Sequence, residues 1–402
     1  MASRIDDFPP PRDRRHPFDP PPEILRRQRE APVSKVRIWN GSEAWLITRY
    51  EDGRAVLSDD RFSANPWRPG FPEKSVAYAE TLANDRNIRA LDNPEHRLQK
   101  RMIIADFTVK RVEELRPHIE KVVDDLLTDM LAKGPPADLV TALAFPVPTT
   151  VICELLGVAY EDREYFGSRS KACMAASTAE SARAAGLELN QFIEKLVDQK
   201  TQSPGDDLIS RLVHEQLIPG HLPRETVVSL GRLMLAAGHE TTANGIALST
   251  LVLLQHPEAM EALRTADDPK FVSNAVDELF RYTSVVHTGR RRIAIADVEI
   301  GGTVIRAGEG VIVLNSVMDR DESVFADPHK LDLRRENARE NITFGYGIHQ
   351  CPGQYLSRVE LQVVHSALWK RISTLKLAVP FEELDFFEGG SVYSIPRLPL
   401  TW

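Results

Sequence analysis

Between Leu222 and Pro257 the chain reads LPRETVVSLGRLMLAAGHETTANGIALSTLVLLQHP, and this segment constrains the fold more than any other. Pro223 suits the first turn of a helix, where the N–H that proline lacks has no partner to lose. Pro257 stands where a helix has just stopped. At 1.5 Å per residue, one helix through the segment spans roughly 45 Å, the width of a domain. A membrane span is the rival reading of so apolar a run. However, His239 and Glu240 stand in its middle, where a bilayer makes ionisable groups expensive, and the chain has no second candidate span. The segment therefore reads as the central helix of a globular protein.

From about Pro94 to Gly220, apolar residues recur at three- and four-residue spacing, which predicts mostly helix. Strand character is confined to two places. VSKVRIWNGSEAWLITRY alternates around Asn40-Gly41 and reads as a β-hairpin. IAIADVEIGGTVIRAGEGVIVLN is the second. The stretch FSANPWRPGFPEKSVAYAETLANDRNI is irregular and carries Trp67 and Phe71; long loops in compact domains are often functional. No repeat or Gly/Ser linker divides the chain, so residues 1–402 are expected to form a single large domain, mainly α with a small β region. The start, MASRIDDFPPPRDRRHPFDPPP, lacks the apolar core of a signal peptide or anchor, and residues 1–22 read as a proline-rich arm laid over the surface.

Chemistry concentrates in FGYGIHQCPGQ, Phe344 to Gln354. The 402 residues hold only three cysteines, Cys153, Cys173 and Cys351, with no CxxC pair. That argues against a cysteine zinc site or redox dithiol and fits a reducing cytoplasm. The formal net charge of −8 argues against nucleic acid as the main partner. Cys351 is expected at the N-cap of the helix PGQYLSRVELQVVHSALWKRI, with Pro352 at N1. The positive end of a helix stabilises a thiolate. Gly345, Gly347 and Gly353 allow tight turns and close approach to something flat and bulky. A small buried hydrophobe ahead of a helix satisfies the local stretch equally well.

The wider pattern separates those readings. FGYGIHQCPG resembles the haem-binding signature of the cytochromes P-450, Phe-x-x-Gly-x-His/Arg-x-Cys-x-Gly, met by Phe344, Gly347, His349, Cys351 and Gly353. Upstream, DELFRY supplies the family's Glu-x-x-Arg as Glu278 and Arg281. AAGHETT matches its Ala/Gly-Gly-x-Asp/Glu-Thr through Gly238, Glu240 and Thr241. FADPHKLDLRR resembles the segment between. The resemblance runs from the hairpin to the terminal LPLTW and is strongest to the soluble actinobacterial class.

The resemblance implies a cytochrome P-450 fold that binds haem b, iron protoporphyrin IX. Cys351 would be the proximal iron ligand, its thiolate pushing electron density onto the metal. Glu278 and Arg281 would form a buried ion pair steadying the loop beneath the haem. The bland alternative is a surface i,i+3 pair worth about 0.2–0.5 kcal/mol. On the distal side the Thr241 hydroxyl would hold oxygen or water. Glu240 behind it would relay protons, and Gly238 would leave room for the diatomic. A solvent-facing polar patch is the alternative there. His96, Arg292 and His349 would face the haem propionates. Where the family commonly has arginine four residues after the first histidine, this chain has Lys100, which pairs as a point charge but not bidentately; Arg101 is the alternative. Phe344, Gly345 and Gly353 complete the cofactor-binding set. The substrate pocket would draw on Trp67, Phe71, Leu235, Val285, Val286, Thr288, Val392 and Ile395, an apolar cavity with a few polar groups. Arg290 and Arg291 are expected to face outward, with a polar or acidic substrate as the alternative.

The implied activity is insertion of one oxygen atom from O2, by hydroxylation or epoxidation, into a lipophilic small molecule such as a secondary metabolite or xenobiotic. Electrons would come from NAD(P)H through a ferredoxin reductase and a ferredoxin docked near Cys351. No fused redox module, nucleic acid or membrane is expected, and the protein reads as a cytoplasmic monomer. One rival is a haem-thiolate nitric oxide reductase or peroxygenase. Such enzymes tend to lose the acid-threonine pair that Glu240 and Thr241 keep. The other is a non-catalytic haem sensor or carrier, which needs no proton delivery.

Overall fold

The computed structural model describes residues 7–75, 87–162, 179–388 and 392–402. Helix Arg224–Gln255 runs unbroken through the protein. It begins one residue later than expected: Pro223 is its N-cap, extended at φ −70° and ψ 153°. The Pro223 carbonyl accepts the N–H groups of Thr226 and Val227, so this proline caps the helix from outside. Leu230, Leu235, Ile246 and Leu251 are fully buried, so the helix hides apolar surface all round. Helices Pro146–Leu156, Ala179–Gln202 and Gln354–Arg371 pack around it. Among the described residues, no helix is long and apolar enough to cross a membrane.

Five strands gather into one sheet in the order Val33–Arg37, Glu43–Ile47, Gly310–Val313, Arg290–Ala294, Phe62–Ser63, and the other described strands form a three-stranded and a two-stranded sheet. The predicted hairpin forms the edge of the five-stranded sheet, with Val36 opposite Ala44 and Gly41 at φ +81° in the turn. Glu43–Ile47 then pairs in parallel with Gly310–Val313, and Arg290–Ala294 runs antiparallel to that strand. The mainly helical architecture with a small β region thus stands. Residues 1–6 of the arm lie outside the described residues. From Asp7 onward it is irregular, anchored by buried Phe8 and Phe18, with the Phe8 N–H donating to the Arg37 carbonyl. Helix Pro22–Glu30 follows.

Candidate active site

The cysteine loop folds back on itself: the Cys351 N–H donates to the Phe344 carbonyl at 2.9 Å. Gly345 and Gly347 take φ of +78° and +71°, where a side chain is strained. A Cβ on Gly347 would also lie 2.3 Å from the Leu57 carbonyl oxygen, so only glycine fits there. The following helix starts at Gln354 with Gly353 as N-cap. Cys351 is therefore not the N-cap and Pro352 is not N1, as the proline motif had suggested. Pro352 and Gly353 form a turn that separates the cysteine from the helix, and the Gly353 N–H points at the Cys351 sulfur. Burial pushes the thiol up; Arg290, that N–H, Arg358 and Lys100 oppose it. Phe344 is fixed by the edge of Phe280, ring centroids 4.8 Å apart, and by the Arg358 guanidinium 4.5 Å from its ring centre.

Glu278 and Arg281 are fully buried on helix Pro269–Thr283, so the exposed-pair alternative fails. Arg281 donates bidentately to Glu278, Nε to Oε2 at 2.7 Å and Nη2 to Oε1 at 2.8 Å. Arg335 donates Nε to the same Oε2 at 3.0 Å, and the Asp332 N–H donates to Oε1 at 2.9 Å. Arg281 Nη1 also donates to the Asp319 and Pro328 carbonyls. The Asp319 carboxylate in turn accepts the Ile342 N–H and the Thr343 hydroxyl, just ahead of Phe344. A continuous buried chain of bonds therefore runs from the ion pair to the cysteine loop. Sequence reasoning gave neither Arg335 nor Asp319 a role; Arg335 ends the segment FADPHKLDLRR that resembles the family, whereas no local pattern marks Asp319.

One large cavity, about 1480 Å³ of atom-free space including its mouth, lies between this loop and the central helix. Cys351, Phe344, Gly345 and Gly353 of the loop line it together with Gly238 and Thr241 of the central helix. The Thr241 hydroxyl donates to the Ala237 carbonyl at 2.9 Å, and the helix continues through it without a break. Glu240 does not line the cavity, and burial raises its carboxyl to about 7. The space that Gly238 leaves goes to a protein neighbour: a Cβ there would meet Ile152 at 2.7 Å. Its glycine therefore lets helix Pro146–Leu156 approach, and Ile152 and Gly238 line the cavity side by side.

The same cavity gathers cations. His96, Lys100, Arg290, Arg292 and His349 all line it, whereas Arg101 is exposed. The His96 and His349 rings lie 4.3 Å apart. Burial, then Lys100 and Arg292, lowers His96 to about 4. Burial, then Arg292, His96 and Lys100, lowers His349 to about 2. Burial, then Arg290, lowers Arg292 to about 10. Lys100 donates to the carbonyls of Ile348 and Gln350. This arrangement is costly by itself and favours an anion. An iron porphyrin has a flat apolar body, two edge carboxylates and an axial position for a soft ligand. The cavity matches it: largely apolar walls, a cluster of basic side chains and one thiol.

The substrate-pocket expectations hold only in part. Val285 and Val286 line the cavity; Trp67, Phe71, Leu235, Thr288, Val392 and Ile395 do not. Leu235 is buried in the core; helical phase from Thr241 brings Met234 and Ala237 to the wall instead. Val392 and Ile395 are buried behind Val285, whose carbonyl accepts the N–H of the intervening Tyr393. Thr288 is buried, Trp67 lies away from the cavity, and Phe71 lines a smaller neighbour. Arg291 is buried rather than outward-facing: its Nη1 donates to the Thr288 carbonyl at 2.9 Å, and the residue lines the smaller cavity. Arg290 turns into the large cavity and donates to the Thr343 carbonyl.

A sequence model of the family described as Cytochrome P450 matches residues 170–376. Cytochrome P450-SU2 of Streptomyces griseolus is 45% identical over 387 residues, covering 96% of this chain and 94% of that protein. The chain belongs to the cytochrome P450 family. It is thus a P450 monooxygenase, an oxidoreductase that takes haem iron, O2 and a lipophilic substrate. GfsF of Streptomyces halstedii is 43% identical, covering 100% of this chain and 97% of that protein. The crystal structure of GfsF superposes with a TM-score of 0.94 at 42% identity, covering 99% of this chain and 100% of that one. The structure of the mycinamicin VIII C21 methyl hydroxylase MycCI of Micromonospora griseorubida, bound to mycinamicin VIII, gives a TM-score of 0.92 at 39% identity, covering 99% of this chain and 100% of that one.

Proposed function

We propose that this P450 carries haem b on Cys351 and hydroxylates or epoxidises a lipophilic secondary metabolite or xenobiotic. The single observation that carries the reading is that Cys351 and Thr241 line one and the same largely apolar cavity. The mycinamicin hydroxylase, of the same fold, supports a natural product as substrate. Cys351 would bind the iron as thiolate, aided by the Gly353 N–H and by Arg290, Arg358 and Lys100 nearby. His96, Lys100, Arg292 and His349 would hold the propionates, whose charge would raise both histidines from their present low values. Bound haem supplies the redox chemistry that activates O2. Thr241 would position water or oxygen through the lone pairs of a hydroxyl whose proton is committed to Ala237, and Glu240 would supply protons. Val285, Val286 and Met234 would pack against the substrate. Electrons would arrive from NAD(P)H through a ferredoxin reductase and a ferredoxin, to a monomer in the cytoplasm. The retained Glu240-Thr241 pair favours this over nitric oxide reduction, peroxygenase activity or haem carriage.

The deciding experiment is Cys351→His. The reduced carbonyl complex of the parent protein is expected to show the strongly red-shifted Soret band of thiolate ligation, and the variant that of imidazole ligation, with monooxygenase turnover lost. A band that stays in place removes Cys351 as ligand.

Pro352 offers a finer test. A residue there with an N–H would add a second donor to the sulfur beside that of Gly353; proline has none. The sulfur is therefore expected to be richer in charge, which favours the ferric state. A hydrogen bond to a charged group is worth about 1.5–3 kcal/mol, and only its ferric–ferrous difference reaches the potential. At about 59 mV per tenfold change for one electron, Pro352→Leu is expected to raise the reduction potential by some tens of millivolts. Spectroelectrochemical titration reads this directly. An unchanged or lower potential leaves Pro352 a purely structural turn residue.

A further inference from the structure

His96 and Lys100 lie one turn apart on helix Glu95–Ile103 and so share a face. That face meets the three residues directly ahead of Cys351. The His96 ring packs 4.3 Å from the His349 ring. The Lys100 ammonium donates to the Ile348 carbonyl at 2.5 Å and to the Gln350 carbonyl at 3.3 Å, one on either side of His349. The Gln350 carbonyl belongs to the peptide group that joins Gln350 to Cys351. The N–H of that same group donates to the Phe344 carbonyl at 2.9 Å. A planar unit that cannot twist is therefore held at both of its edges, immediately before the residue that carries the sulfur.

The contact is electrostatic as well as geometric. Lys100 is half-buried; burial lowers its ammonium below the ordinary lysine value, and Cys351 opposes that. Burial in turn raises the Cys351 thiol, with Lys100 among the groups that oppose it. The charge of one is thus felt at the other. Hydrogen bonds from a charged donor are roughly twice as strong as neutral ones. An ammonium has three N–H donors, so two spent on the loop leave one for a haem carboxylate. Arg292 lines the same cavity but, among the described residues, donates only to the Arg291 carbonyl within its own strand. The two cations therefore differ: both can meet a propionate, and only Lys100 also holds the loop.

We propose that Lys100 is a positioning residue for Cys351: it braces the carbonyls of Ile348 and Gln350 so that the sulfur stays presented to the iron, and its charge favours the ferrous state. Reduction adds negative charge at the iron, which a nearby cation stabilises. The inference rests on Cys351 being the iron ligand and adds a second task to the propionate contact of Lys100.

The reduced carbonyl complex of the haem-loaded protein tests this, followed on warming in the parent, Lys100→Met, Lys100→Gln, Lys100→Arg and Arg292→Met. Both neutral Lys100 variants are expected to lose the red-shifted Soret band about tenfold or more faster than the parent, with haem content per protein within about twofold. Their ferric–ferrous equilibrium is expected to lie at least about threefold further toward ferric, roughly 28 mV lower at about 59 mV per tenfold. Lys100→Arg keeps the charge and the donors and is expected to recover most of both effects. Arg292→Met loses a propionate cation but no bond to the loop, so its rate of band loss is expected to stay within about twofold of the parent. Band loss at the parent rate in both neutral Lys100 variants overturns the brace. So does Arg292→Met losing the band as fast as they do, or haem leaving both neutral variants while what remains keeps its band, the signature of a propionate contact alone. A parent protein without the red-shifted band removes Cys351 as ligand instead, so failure of the ligand reading is distinguishable from failure of this one.

Discussion

Replacing Glu278 with leucine is expected to destabilise the protein by about 3–5 kcal/mol and to leave little of it able to retain haem. The size follows from what the substitution strands. Glu278 accepts four hydrogen bonds from Arg281, Arg335 and the Asp332 N–H, and both guanidinium groups are buried. Without the carboxylate, two positive charges remain in a low-dielectric interior with only carbonyl oxygens around them. Domains are typically stable by only about 5–15 kcal/mol, so the loss is a large fraction of the whole. The damage is also directed. Arg281 holds the Asp319 carbonyl, and the Asp319 carboxylate holds Ile342 and Thr343 ahead of the cysteine loop. Denaturant unfolding measures the stability, and haem content per folded protein measures the loop. A Glu278→Leu protein as stable as the parent, with full haem content, would show the network to be dispensable.

That network also marks the limit of what the sequence discloses. Glu278 and Arg281 are legible because they sit three residues apart on one helix and form a recognisable motif. Arg335 and Asp319 join them only through tertiary folding of irregular chain, which has no period to read. The central helix was legible because its apolar run is long and its prolines mark both ends. The lining residues were harder. Leu235 and Met234 are equally apolar, and only helical phase counted from Thr241 separates core from cavity. Arg291 looked like surface charge in a run of three arginines, whereas the fold buries it. Phe344, His349, Cys351 and Gly353 of the cysteine motif do line one cavity, but the helix start expected from its proline was wrong. Proline favours N1 in general, yet the Cys351–Phe344 bond and the Pro352–Gly353 turn postpone the helix to Gln354.

Glu240→Gln is expected to slow productive turnover by about 10²–10⁴-fold, the usual contribution of a positioned proton donor. It is also expected to change the pH profile. Burial raises the Glu240 carboxyl from its ordinary value to about 7, so near pH 6 it holds its proton and above pH 8 it has largely lost it. The proton-bearing form disappears as pH rises through 7, and coupled turnover in the parent should fall over the same interval. Glutamine does not titrate, so this inflection should vanish from the variant's residual rate. The stability consequence has a definite sign. In the unfolded chain the carboxyl ionises near its ordinary pKa of about 4.3, before the folded one does, so this residue lowers stability as pH rises from about 4 to 7 and adds no further change above. Removing it should leave the variant at least as stable as the parent at pH 8, which separates slow proton delivery from misfolding. Thr241→Ala completes the test. Thr241 lines the cavity and Glu240 does not, so losing the hydroxyl should misdirect protons rather than exhaust them. NAD(P)H consumption is expected to continue, with most of its electrons recovered as hydrogen peroxide instead of oxygenated product. Full coupling in Thr241→Ala, or an inflection near pH 7 that persists in Glu240→Gln, would move proton delivery to other residues.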